Sequence, residues 1–144
     1  MIETSISIAD QANIARVLPA AKQHNVGVLA KRPIANAAWK DPSRQEGLYK
    51  SYSQPYRERL QKMAIQPADL GIGGPPEEAW PQLALRFTLS FPEVHSAIIG
   101  TTKPANAQKN IDHANAGPLP HDVVEKIRAA FQHADPTVAW PGLT

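Results

Sequence analysis

The chain has 144 residues, 42% of them hydrophobic, a formal net charge of +2 and no cysteine. That length suits one domain, which at this size buries roughly two-thirds of its unfolded surface. The missing cysteines exclude disulfides, thiolate metal ligands and a Cys nucleophile, and the scattered basic residues lack the clustered stripe of a nucleic-acid binder.

No apolar run approaches the ~18 residues of a membrane span, and no basic start leads into an apolar core at the N-terminus. The expectation is a soluble cytoplasmic protein. Ile2 to Ile8 alternates apolar and polar residues and predicts a strand. Met1 stands directly against it, so the chain is expected to begin inside a sheet. Asp10 is placed to cap a helix over about Ala12 to His24, with Ile14, Val17, Leu18 and Ala21 on one face. Val26 to Ala30 is a short apolar run of the kind found in buried parallel strands, ended by Lys31-Arg32-Pro33.

Residues 35–76 are the least regular stretch. Tyr49, Tyr52 and Tyr56 share a helical spacing, and a helix is expected from about Gln54 to Ile65. Gly71 to Pro76 is a breaker cluster and predicts a loop. Glu77 to Ser90 predicts a helix with acidic residues in its first turn and rows at Leu83, Phe87 and Leu85, Leu89. Val94 to Ile99 reads as a third strand. A helix follows from Pro104 to about Ala116, stopped by Gly117-Pro118, and a last one runs from about His121 to His133 with Val123, Val124, Ile127 and Phe131 inward.

Strands alternating with helices imply parallel βαβ units. Three strands cannot close a barrel, and both outer edges would stay raw. The pattern therefore predicts an incomplete architecture. An apolar barrel-facing side, expected around Ile6, Val28 and Ile98, and the raw edges together predict a homodimer.

The segment richest in chemistry runs from Ser96 to Pro104. A buried strand ends in Gly100, Thr101, Thr102 and Lys103, and a helix opens with proline at its first position, where the N–H has no helical partner anyway. Unpartnered N–H groups and the helix dipole attract an anion there, the hydroxyls and Lys103 add donors, and Gly100 lets a ligand approach the backbone. In parallel barrels the phosphate site commonly follows the seventh and eighth strands. An ordinary capped turn accounts for the same residues.

The five histidines form no His-x-x-x-His pair, and no metal site is expected. His95 and Ser96 are strand neighbours that face opposite ways, against a dyad and in favour of a packed or rim histidine. Glu77 and Glu78 are adjacent on a helix and do not make an acid/base couple. Lys31 and Arg32 end a strand, where barrel active sites gather, and solvated charges explain them equally well. The tyrosine row reads as packing.

Taken in order, Ala20 to Pro33 (AAKQHNVGVLAKRP), Ile34-Ala35-Asn36, Leu83 to Phe87 (LALRF), Ile98 to Pro104 (IIGTTKP) and Asn110 resemble the aldo/keto reductase family. The likeness spans most of the chain and is weakest over residues 37–76. It implies an α/β fold, namely the C-terminal half of a (β/α)8 TIM barrel over residues 1–144, covering family strands six to eight with about three parallel strands, flanking helices and no N-terminal half. The parent family consists of NADP(H)-dependent oxidoreductases that reduce carbonyls to alcohols.

The same resemblance places the family's catalytic Asp, Tyr, Lys and His outside this chain, so no catalytic residue is assigned. The family glutamine at the nicotinamide carboxamide falls near Met1. Lys31 falls where many members stack an aromatic residue on the nicotinamide ring, which a lysine cannot do. Gly100, Thr101, Thr102 and Lys103 match the loop that holds the adenosine 2′-phosphate. Asn106 stands where many members carry an arginine for that phosphate, and Asn110 matches the asparagine at the adenine. Lys31, Arg32 and Pro33 complete the candidate cofactor contacts. The isolated chain is expected to hold NADP(H) weakly or not at all and to be inactive. The alternative is a non-enzymatic, self-associating half-barrel.

Overall fold

The computed structural model describes residues 1–45 and 47–143, leaving aside the side chains of Arg44, Leu48 and Tyr49. Strands β1 (Ile2–Ser5), β2 (Val28–Lys31) and β3 (Val94–Ile98) form one parallel sheet in the order β1-β2-β3. Helices α1 (Ala12–Arg16) and α2 (Leu18–Gln23) join the first two strands. Helices α3 (Leu48–Met63) and α4 (Pro76–Leu89) lie between β2 and β3, and α5 (Pro104–Asn115) and α6 (His121–Ala134) follow.

The predicted order of strands and helices holds, and the departures have local causes. The single helix expected over 12–24 breaks in two, because Pro19 has no N–H to donate and its ring crowds the carbonyl four residues back. Asp10 does not cap it: Gln11 is the N-cap, without a side-chain bond, and Asp10 is buried. β1 stops at Ser5, since the backbone of Ser7 pairs with Asp10 in a tight bridge (N–H to carbonyl 3.0 and 3.1 Å) while Ile6 and Ile8 enter the core. α3 begins six residues before the expected start and carries Pro55 inside it. Within the expected tyrosine row, Tyr56 is buried and Tyr52 is exposed, while the side chain of Tyr49 lies outside the described residues.

Sheet alternation sorts the core. Val28 and Ala30 are fully buried in one cluster with Ile14, Leu18, Ala21, Leu83 and Phe87. Leu29 and Lys31, pointing the other way, are half-buried, and Ile98 in register with Lys31 is 46% exposed. Val28 and Ile98 therefore do not share the barrel-facing side expected of them: Val28 lies under the helices and Ile98 on the open face. Residue pairing jumps from Val28↔Val94 to Leu29↔Ser96, which leaves His95 as the extra residue of a bulge. Its Nδ1 accepts the Val28 N–H at 3.2 Å, a strand-edge role of the kind expected for a rim histidine.

Candidate functional site

Three parallel strands put all their C-terminal ends at one edge, and the final rung is Ser5↔Lys31↔Ile98. Neighbouring strands stand about 4.8 Å apart. The loop leaving Ile98 thus begins beside the strand that ends in Lys31. That loop is open: residues 100–106 are exposed, and a Cβ built at Gly100 meets nothing within 4 Å.

α5 starts at Pro104 with Lys103 as N-cap in an extended conformation. Part of the local donor set is used internally. The Lys103 N–H donates to Thr101 Oγ1 at 3.2 Å, and the Asn106 N–H turns back to the Lys103 carbonyl at 3.0 Å. The Thr101 hydroxyl thus accepts inside its own turn and also donates to the Lys103 carbonyl at 3.5 Å, while Thr102 and Lys103 are exposed. Asn106 is exposed and Asn110 half-buried, one helical turn apart on one face.

Nothing in α5 is buried. The helix lies on α4, where Lys109 Nζ donates to Glu78 Oε1 at 2.6 Å, and this bond with the nearby ammonium charge holds the Glu78 carboxyl below its usual range. Glu78 therefore ties α5 to α4, while Glu77 lies beside it in the first turn of α4.

The other three candidates behave differently. Lys31 is half-buried at the rung end. Arg32 turns at φ 57°, a left-handed backbone, and its Nη1 lies 3.4 Å from both Tyr56 Oη and the Leu143 carbonyl. Pro33 is fully buried. The structure places Gly100, Thr101, Thr102, Lys103 and Asn106 on one exposed stretch, with half-buried Asn110 one turn further along α5 and Lys31 on the neighbouring strand, and directs Arg32 and Pro33 inward.

Sequence reasoning missed a second constellation at the same edge. Asp10 and Arg59 are 0% and 6% exposed in their side chains, with Arg59 Nη1 3.5 Å from Asp10 Oδ1. Burial pushes the Asp10 carboxyl above its ordinary value, against the Ser5 hydroxyl, the Leu143 N–H and the guanidinium charges of Arg59 and Arg32; burial likewise lowers Arg59. Arg59 also donates to the carbonyls of Ala9 (3.1 Å) and Pro141 (2.9 Å). Backbone strain accompanies the cluster: Arg32, Ala35, Asn36 and Ala37 all have positive φ without being glycine. The one signal available in the sequence was an aspartate set in an apolar run, ISIADQANI. Among the described residues no group of acidic or histidine side chains is arranged to hold a metal ion.

Residues 1–132 match the aldo/keto reductase family. Among solved structures, the chain is similar to aldo-keto reductase AKR11C1 from Bacillus halodurans. The apo form aligns at 20% identity and TM-score 0.64, covering 93% of this chain and 46% of that one. The holo form aligns at 19% identity and TM-score 0.62, covering 93% and 45%. The chain thus spans about half the length of these relatives. A comparison with curated proteins returns no match.

Proposed function

The chain belongs to the aldo/keto reductase family, and from that premise we propose that it is the C-terminal half of an NADP(H)-dependent carbonyl reductase barrel, furnishing the adenosine-phosphate end of the cofactor site. The observation that carries this reading is the open loop Gly100–Lys103, which leads from a C-terminal strand end into the N-terminus of a 12-residue helix. A phosphate fits there. Gly100 offers a backbone surface with no side chain in the way, the Thr102 hydroxyl and Lys103 ammonium are free to donate, and the helix dipole adds positive potential. Asn106 and Asn110 extend the same face along α5 toward an adenosine.

The nicotinamide end is poorly furnished. Lys31 offers no ring to stack, and Met1, 84% exposed, supplies no carboxamide partner. When bound in a complete barrel, NADPH would supply the hydride for carbonyl reduction; the residues of this chain would orient its distal end and leave proton transfer to the other half. Contact with the phosphate end alone makes a weak site, of millimolar order, equivalent to about 4 kcal/mol.

Calorimetric titration tests the reading. 2′-Phospho-AMP should bind about as well as NADP and better than NAD. Lys103→Glu should abolish the binding by setting a like charge beside the anion, whereas Lys31→Glu should change it little. Equal affinity for AMP and 2′-phospho-AMP would overturn the assignment. The isolated chain should also leave NADPH unoxidised in the presence of an aldehyde or a quinone, and steady oxidation above a no-protein control would contradict the half-site.

A second reading, self-association without turnover, is favoured by one observation. Ile2 on β1 and Ile98 on β3 are 37% and 46% exposed on strands whose outer edges are unpaired. Light scattering at low micromolar concentration should report a dimer under this reading, and a monodisperse monomer would remove it.

A further inference from the structure

Beyond the cofactor loop, the same edge of the sheet holds a pocket that is already filled, and what fills it is the chain's own C-terminal segment. Asp135, at the end of α6, accepts the N–H groups of Ala139 (2.9 Å) and Trp140 (2.8 Å) and turns the backbone. The turn passes through Val138, a β-branched residue at φ 53° that is 72% exposed. A left-handed backbone at such a residue is strained.

From there Trp140–Leu143 lies over Asp10, Arg32 and Arg59. The Pro141 carbonyl accepts from Arg59 Nη2 at 2.9 Å, the Leu143 carbonyl from Arg32 Nη1 at 3.4 Å, and the Leu143 N–H donates to Asp10 Oδ2 at 2.9 Å. The Trp140 ring lies 5.0 Å from the Arg59 guanidinium and meets Phe131 edge-on at 5.0 Å. Gly142 presses on Asn13, where a Cβ would come to 3.1 Å from Nδ2.

This segment supplies main-chain donor and acceptor groups, the Trp140 indole and the Leu143 side chain, which packs on the core, and none of these contacts runs through the covalent link to α6. The pocket cannot do without an occupant. Asp10 Oδ2 would lose its N–H donor, and the two arginines would lose carbonyl acceptors, beside a Ser7 Oγ that already lacks a hydrogen-bond partner among the described residues. A buried charge that loses its partners is strongly disfavoured.

We propose that Asp10, Arg32 and Arg59 form a receptor for an extended peptide of the Trp-Pro-Gly-Leu type, filled here in cis, and that a second copy of the chain can supply the same segment by exchange at Val138. The contacts are identical in cis and in trans, and an extended hinge releases the strain at Val138. These are the conditions under which elements swap between protomers.

The test uses the full chain and a fluorescein-labelled peptide of residues 137–143. Trp140→Ala in the host weakens the cis segment, and this host should bind the peptide at least tenfold tighter than the wild type does. A peptide carrying Trp140→Ala should bind at least tenfold more weakly, because it loses the ring contacts with Arg59 and Phe131. Equal affinity for the two hosts, insensitivity to Trp140→Ala in the peptide, or no binding overturns the receptor. Should the Trp140→Ala host fail to fold, native-state hydrogen exchange on the wild type decides. The Leu143 amide should exchange by a local opening that is independent of urea below the unfolding transition; exchange that tracks global unfolding overturns the proposal. Excess peptide should convert dimers of the wild type to monomers. A dimer mass that the peptide leaves unchanged, or a monomer throughout, overturns exchange between copies.

Discussion

Two surfaces at one end of this sheet are built in opposite ways. The loop Gly100–Lys103 and α5 bury no side chain and offer donors to solvent, with part of their hydrogen bonding spent inside a single turn. The Asp10–Arg59 cluster a strand away is sealed, and its contacts join residues 10, 32, 59 and 140–143 from distant parts of the chain. Stability resides in the sealed cluster, which holds the strand ends, α3 and the C-terminal segment together, while the open surface carries exposed donors that the fold does not use.

Arg59→Met should have the largest effect, because it leaves Asp10 buried and unpaired and removes the donors to Ala9 and Pro141. The expected loss is about 3–5 kcal/mol in urea unfolding. A loss under about 1 kcal/mol, of the size found for exposed ion pairs, would erase the contrast between the two surfaces.

Much of the open surface was legible in the sequence and little of the sealed one. Strand, glycine, hydroxyls, lysine and a helix-opening proline are contiguous between Ile98 and Pro104, so local rules suffice, and α5 does begin at Pro104. The alternation of strands and helices was equally readable. Asp10 looked like a helix cap because capping is the local role of an aspartate before a helix; its burial is decided by α3 and residues 140–143, which no local pattern connects to it. The faces of Val28 and Ile98 were misjudged for a related reason: pleat alternation is local, but the side that the helices cover is fixed by packing, and the bulge at His95 shifts the register between them. The break at Pro19 was the exception, a local signal outweighed by the apolar periodicity around it.

Gly100→Val probes the open surface. No atom lies within 4 Å of a Cβ there, so stability should stay within about ±0.5 kcal/mol by thermal unfolding. Binding of 2′-phospho-AMP should nevertheless disappear, because the branched side chain covers the backbone that the phosphate approaches. Retained binding would show that the anion sits elsewhere.

The smallest effect is expected from Glu78→Gln, which removes the exposed α4–α5 ion pair. Lys109 holds the folded-state Glu78 carboxyl below its value of 4.5 in the unfolded chain, so the pair stabilises the fold above that pH and the contribution is lost as pH falls through the folded value. Asp10 has the opposite sign. Its folded carboxyl lies above the unfolded 3.8, so its linkage favours the fold below 3.8 and is lost as pH rises through the folded value. Urea unfolding of the wild type and Glu78→Gln, run from neutral to acid pH, should therefore converge as the pH drops. A difference between them that grows toward acid would contradict the assignment.

Under the proposed function a phosphate-bearing ligand addresses the open loop and leaves the arginine cluster alone. Titrating 2′-phospho-AMP into the isotope-labelled full chain and following amide chemical shifts tests it most directly. Shifts are expected at Thr101, Thr102 and Lys103, with Arg32, Arg59 and Leu143 unmoved; shifts centred on Arg32 and Leu143, or none at 101–103, would place the ligand elsewhere.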